Sequence, residues 1–342
     1  MNNEFFAALE LLEKEEGIAK QYMLNKVELA LTTAYKREWN GYDNVEVVIN
    51  EAKKEVKVYQ LKEVVEVVED AVLQITRSDA LKYDIHADYG KTIRIEIDPK
   101  KFRRLSAQNG KQMIIQGSRE AKREKATHAY SSKKEEIIST LVDRVDPETG
   151  NVIVETSNGL ATLMASELIP GDHFDAGDHI KVFISEVNHE VKGPIVTLSR
   201  THPNFVKRLF ELEVPEIQDG TVIIKNISRE PGSRTKMSVY SNDENVDPVG
   251  TCIGNRRMRI NSVIKELSGE KIDVIRYSEN PEEYIAAALA PATVREVILA
   301  DNERSCQVLV NEDQLSLAIG KFGQNARLAA RLTGYKIDIK TK

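Results

Sequence analysis

Two glycines three residues apart, Gly320 and Gly323, bracket Lys321 and Phe322 between two stretches of helical apolar spacing. Glycine permits backbone dihedrals and close approaches that a side chain forbids. Where such a turn opens a helix, unpaired N–H groups and the positive end of the helix dipole face outward, and both favour phosphate. Lys321 adds a charge, and Gln324, Asn325 and Arg327 begin the next helix, where polar side chains would reach phosphates or base edges. The chemistry implied is capture of a nucleic-acid backbone, with no bond made or broken. No Ser or Thr follows the lysine, so this is not the phosphate loop of a nucleotide hydrolase. A plain helix–turn–helix with glycine as a C-cap is the alternative on pattern alone.

A second version of the loop lies upstream. Gly254-Asn255-Arg256-Arg257 follows Cys252-Ile253 as Gly320 follows Ala318-Ile319, an offset of 66 residues. Leu267-Ser-Gly-Glu-Lys-Ile-Asp-Val274 likewise matches Leu332-Thr-Gly-Tyr-Lys-Ile-Asp-Ile339 at an offset of 65. Arg257 stands where the second glycine belongs, and a non-glycine residue resists the left-handed conformation by about 1–2 kcal/mol. Either this turn differs, or Arg256, Arg257 and Arg259 compensate through direct phosphate contacts.

The elements that must hold these loops form two small domains in tandem, since the period is too long for a solenoid. Two strands precede each loop, Thr221–Ile227 with Lys236–Tyr240 and Arg295–Leu299 with Cys306–Val310. Before them, Ile137–Val145, Asn151–Thr156, Leu160–Met164, His179–Val187 and Pro194–Ser199 are five short apolar runs separated by turn residues, as in an OB-type barrel. The start of the chain reads as helices at 3–16 and 25–39, the second capped by Asn25, with Phe5, Leu9 and Leu12 as an apolar stripe. Strands Val45–Ile49, Glu55–Gln60 and Thr92–Ile97 follow, then a helix from Pro99 to Lys125, with 126–134 as a hinge. The expected domains are 1–125, 133–200, 201–277 and 278–342.

The net charge of −6 hides a segregated pattern. Residues 1–98 carry 13 basic and 20 acidic residues, whereas 99–125 carry 9 and 2. The barrel region 126–200 is acidic again, with 6 and 12, and 320–342 holds six basic residues against Asp338 alone. Such blocks point to modules with different partners. The barrel holds only two aromatics, Phe174 and Phe183, so it offers little base stacking and alone should bind RNA weakly. His173, His179, His189 and His202 lack cysteine neighbours or helical spacing, and no metal or other cofactor is expected. No nucleophile–base arrangement stands out, so an enzyme is not expected. Cys252 and Cys306 do not make a disulfide framework, and with no signal peptide or membrane-length apolar run a cytoplasmic protein is expected.

A G-x-x-G turn between two helices is the mark of a KH domain, which clamps about four nucleotides. The run Leu317-Ala-Ile-Gly-Lys-Phe-Gly-Gln-Asn-Ala-Arg-Leu-Ala-Ala-Arg-Leu-Thr-Gly334 resembles the second KH domain of the bacterial NusA family of transcription factors. Phe210–Ile217, Pro231–Lys236, Asp247–Gly254, Asn280-Pro281 and Ala290–Ala292 resemble that family's segments around the first KH domain, and the helix beginning Lys111-Gln-Met-Ile-Ile-Gln resembles its N-terminal domain. The resemblance implies a multidomain α+β chain: an N-terminal α+β head, an S1 (OB-fold) barrel and two tandem prokaryotic-type KH domains. It implies binding of core RNA polymerase by the head and of nascent single-stranded RNA by Gly254, Asn255, Arg256, Arg257, Arg259, Gly320, Lys321, Phe322, Gly323, Gln324, Asn325 and Arg327. It implies modulation of pausing, intrinsic termination and antitermination beside other factors, with no membrane partner and a monomer as the default. The chain ends just past the second KH segment, as in shorter members without acidic C-terminal repeats. The alternative is a ribosome- or RNA-processing-associated KH/S1 chaperone that never touches polymerase. An exoribonuclease is disfavoured, because there the KH precedes the S1 and a large catalytic core comes first.

Overall fold

The computed structural model describes residues 2–97, 99–190, 192–300 and 304–341, and leaves the side chains at 2–5, 8, 15–16 and 99–114 outside the description. The chain divides into two compact units, Met1–Ala126 and Thr127–Lys342.

The first unit begins with α1 (Asn2–Glu16) and α2 (Lys20–Glu38). Phe6, Leu9, Ile18, Met23 and Leu24 form their shared core, with Leu12 partly buried; the expected stripe residue Phe5 lies outside the described side chains. Helix α2 starts five residues before Asn25, which therefore lies inside it. Its N-terminus lacks a side-chain cap at Ala19; instead the Lys20 N–H donates to Glu13 Oε1 of α1 at 3.2 Å, so a neighbouring helix supplies the acceptor. The sheet is built on β2 (Glu55–Val65), which pairs antiparallel with β1 (Val45–Asn50) and β4 (Thr92–Glu96) and parallel with β3 (Gln74–Thr76). Between β3 and β4 lies the one-turn α3 (Arg77–Ala80), capped by Thr76 Oγ1, which accepts the Asp79 N–H. Neither β3 nor α3 is long enough to show a period in the sequence.

Helix α4 runs Pro99–Ser131. The division between the two units falls within the expected 126–134 segment, of which residues 126–131 are helical, and Tyr130 is 3% exposed with its hydroxyl 2.6 Å from Thr156 Oγ1. An aromatic anchor and an alanine-rich run outweigh the turn-forming serines here. The basic side chains at 99–114, central to the charge pattern, lie outside the described residues.

The second unit opens with a five-stranded antiparallel sheet of β5 (Ile137–Val145), β6 (Val152–Thr156), β7 (Gly159–Leu163), β8 (His179–Val187) and β9 (Val196–Ser199), in the order β7-β6-β5-β8-β9. Strands β7 and β9 lie side by side and nearly close it into an OB-type barrel. Val142, Val154, Leu163, Ile180, Val182, Ile184 and Leu198 fill the inside. Two α+β repeats follow. The first comprises α5 (Pro203–Glu213), α6 (Pro215–Gln218), β10 (Val222–Glu230), β11 (Arg234–Ser241), α7 (Pro248–Ile253), α8 (Met258–Glu266) and β12 (Lys271–Arg276). The second comprises α9 (Pro281–Ala288), β13 (Val294–Leu299), β14 (Ser305–Val310), α10 (Glu312–Ile319), α11 (Gln324–Thr333) and β15 (Lys336–Thr341). In each, the first two strands pair antiparallel and the last joins the middle one in parallel, with the loop-bearing helix pair as the crossover. The head, S1-type barrel and two KH repeats expected from the sequence are the observed fold class.

Barrel and first repeat are bolted together. Arg200, 2% exposed, donates through Nε to Asp172 Oδ2 at 2.8 Å, through Nη1 to Lys181 O at 2.6 Å and through Nη2 to Glu266 O at 2.7 Å. Its guanidinium lies between the rings of Phe174 and Phe205, 5.2 and 5.3 Å from their centroids. Every strong donor is used, as a buried cation requires.

Candidate nucleic-acid interface

Both loops have one geometry. In the second repeat Gly320 has φ +74°, Phe322 φ +54° and Gly323 φ +73°; in the first, Gly254 has φ +72°, Arg256 φ +50° and Arg257 φ +63°. Of the two alternatives that Arg257 leaves, the turn does not differ: the loop keeps its shape and arginine adopts the left-handed region. The surrounding helices fix both ends of the turn, so local preference yields at a cost of about 1–2 kcal/mol.

The first glycine of each loop is required by close approach. A Cβ on Gly320 would lie 2.7 Å from Asn325 Cβ and 2.8 Å from its backbone N; one on Gly254 would lie 2.8 Å from Arg259 Cγ. Asn325 is 3% exposed and donates Nδ2 to Leu289 O, Leu317 O and Ala318 O at 2.9, 3.2 and 3.1 Å. Arg259 occupies the equivalent position and donates Nη1 to Thr251 O at 2.9 Å, with Glu216 Oε2 at 3.0 Å. These two residues tie the helix after the loop to the helix before it. Asn325 is thus buried between the two helices, and Arg259 is already engaged.

The tip residues are open. Asn255, Arg256, Arg257, Lys321 and Phe322 are exposed, Phe322 by 87%, and Lys321 Nζ lies 5.4 Å from the Phe322 ring centroid. Ahead of the tip, Leu317 and Ile319 on α10 are 48% and 39% exposed, as is Met258 after the first loop at 67%. An exposed ring and free cations beside apolar surface can stack a base and hold a phosphate.

Gln324 and Arg327 point elsewhere. Gln324 Nε2 donates to Glu230 Oε2 at 2.8 Å and to Ser233 Oγ at 2.7 Å, and Arg327 Nε donates to Glu230 Oε1 at 2.7 Å. The Arg327 hydrogen bond holds the Glu230 carboxyl below its usual range, and the same contact pushes the Arg327 guanidinium up. Spacing alone placed both residues at the loop; it contained no sign of an acceptor about ninety residues earlier. Elsewhere, Phe183 is fully buried and Phe174 packs on Arg200, which leaves the barrel without a free stacking aromatic among its described residues. His202 is a helix cap, its Nδ1 accepting the Asn204 N–H at 3.1 Å, and it stacks on Phe183. Both cysteines are buried, and burial pushes the Cys252 thiol up to about 12.

Three family models match the chain: the NusA N-terminal domain at residues 4–124, the NusA-like first KH domain at 200–277 and the NusA-like second KH domain at 281–342. Curated relatives match along the whole length. The transcription termination/antitermination protein NusA of Halalkalibacterium halodurans is 45% identical over 100% of this chain and 89% of its own length. That of Bacillus subtilis is 44% identical, covering 100% and 92%, and that of Thermus thermophilus 38% identical, covering 99% and 90%. Two loops of one geometry on tandem KH repeats, behind an S1-type barrel and a head matched in the same order, place this chain in the NusA family.

Proposed function

We propose that this protein is a transcription termination/antitermination factor that grips nascent single-stranded RNA with its two KH loops. The RNA is held at Gly254–Arg257 and Gly320–Gly323, where glycine-permitted approach and the exposed Arg256, Arg257, Lys321 and Phe322 meet backbone and bases. The head, 1–125, binds core RNA polymerase and brings the RNA-binding unit to the emerging transcript. From there the protein modulates pausing, intrinsic termination and antitermination, alongside other factors. It acts in the cytoplasm as a monomer and without enzymatic chemistry; among the described residues no helix is long and apolar enough to cross a membrane. The single observation that carries the RNA reading is the identical loop geometry in both repeats, kept even where arginine must adopt a left-handed backbone.

Gly323→Asp tests it. Aspartate tolerates a left-handed backbone better than most residues, so the change chiefly sets a carboxylate where phosphate would sit. The variant should bind single-stranded RNA more weakly and with a shallower salt dependence. Equal binding at matched salt overturns the clamp. Capture of core polymerase by the full chain but not by one lacking 1–125 tests the head.

A further inference from the structure

The seam between the KH repeats has an interior and a rim. Inside, the Tyr284 hydroxyl lies 2.9 Å from Ser238 Oγ and 3.2 Å from Leu332 O, and the fully buried Lys236 donates Nζ to Ala290 O at 2.8 Å and Asp273 Oδ2 at 3.1 Å. Helix α11 packs across β10 and β11. These contacts hold the bodies of the repeats together, away from the loops.

The rim contact is different in kind, because it ends on the loop itself. Glu230 closes β10, and its carboxylate receives Gln324 and Arg327, the first and fourth residues after Gly323. Arg327 also donates Nη1 to Phe322 O at 3.1 Å. The guanidinium therefore bridges a carboxylate of the first repeat and a carbonyl at the tip of the second loop. The turn that carries Glu230 is itself braced. The Gly232 N–H donates to the buried Glu270 carboxylate at 2.9 Å, and a Cβ on Gly232 would lie 2.8 Å from Pro170 O of the barrel. One short turn thus touches the barrel, the first repeat and the second RNA loop.

We propose that Glu230 is a positioning residue for RNA binding: through Arg327 and Gln324 it sets the second loop at a fixed spacing from the first, so that one strand engages both. This rests on the RNA-binding reading above. A strand long enough for both loops gains from the second contact only if the loops are held at the spacing the strand spans. Glu230 touches no RNA in this scheme, and its loss leaves each loop's own binding intact.

The experiment uses the full chain and two unstructured RNA probes, one of roughly four nucleotides, the footprint of a single loop, and one of roughly ten. Glu230→Ala should weaken binding of the longer probe by about tenfold and leave the shorter within about twofold. Glu230→Asp, which keeps the carboxylate, should restore most of the loss, and the thermal midpoint should stay close to the parent's because the buried seam is untouched. Equal weakening of both probes, no change in either, or tighter binding of the short probe each overturns the proposal; the last would make Glu230 a competitor of RNA for Arg327. Failure of the RNA reading shows separately, as parent and Gly323→Asp binding the short probe alike.

Discussion

The two KH repeats share a loop but not an interior. Strand register sets Arg229, Thr235 and Glu270 of the first against Leu299, Cys306 and Tyr335 of the second. In the first repeat these positions form a buried polar cluster: Arg229 and Glu270 have fully buried side chains with Nη2 to Oε2 at 2.9 Å, and Thr235 Oγ1 donates to Glu270 Oε1. In the second they belong to the apolar core. The difference follows from what each repeat touches. The first abuts the barrel, where the Glu270-bound turn meets Pro170, and Arg229 also donates to His202 O, the cap of α5, at 2.9 Å. The second has no barrel to grip and keeps a greasy interior. A shared frame can therefore carry a directional polar joint in one copy and plain packing in the other.

The largest effect should come from breaking that joint. Arg229→Ala leaves the Glu270 carboxylate buried without its cation, a change that costs about 3–5 kcal/mol. The thermal unfolding midpoint should fall sharply. Installing the second repeat's trio, Arg229→Leu with Thr235→Cys and Glu270→Tyr, should cost less than the single change, since no charge is stranded. If the single and triple variants unfold alike, the cluster is not a charge-paired joint.

Next come the first glycines, where the repeats differ in what a methyl group would strike. At Gly320 it meets the backbone N of Asn325, which cannot yield; at Gly254 it meets the flexible stem of Arg259. Gly320→Ala should destabilise by about 2–4 kcal/mol, from left-handed strain plus overlap. Gly254→Ala should lose about 1–2 kcal/mol, mostly the strain. Urea midpoints of the two variants rank them, and a reversed order would show that the Arg259 stem is held as firmly as the backbone.

A smaller effect of opposite sign is expected at Arg257. Arg257→Gly removes the strain of φ +63° and should raise stability by about 1 kcal/mol, yet it deletes an exposed cation and should weaken RNA binding. Stability and binding then move in opposite directions, which is the signature of strain kept for function. A variant that gains both would mean that arginine serves no purpose there.

The strands of the barrel and repeats are legible to within about three residues, because alternation and turn residues are local signals; the largest miss is the end of β10, which runs past Ile227 to Glu230. The repeat itself exposed both loops. Other features are not legible because they depend on a distant partner. The start of α2 rests on Glu13 of another helix, the continuation of α4 to Ser131 on a buried Tyr130, and the fate of Gln324 and Arg327 on Glu230. Asn325 has the look of a ligand group because it is polar and follows the loop; only packing shows that its amide nitrogen is given to three carbonyls.

The smallest predicted effect is one of pH, and it separates the rim of the seam from its interior. Glu230 has its carboxyl held below the usual range, first by the hydrogen bond from Arg327. A depressed carboxylate contributes stability that is present above the unfolded-state value and lost as pH falls through the folded value. The rim contact should therefore hold through neutrality and loosen only in acid, below the ordinary carboxylate range. The interior contact at Tyr284 carries no carboxylate and should persist. Hydrogen exchange at the α11 N-terminus should rise in that acid window, while exchange around Leu332 at its other end stays slow, after correction for intrinsic rates. Salt should shift the first and not the second, since the rim pair is partly exposed and screened. Uniform loosening along α11 would mean that the seam opens as one piece and that rim and interior are not independent.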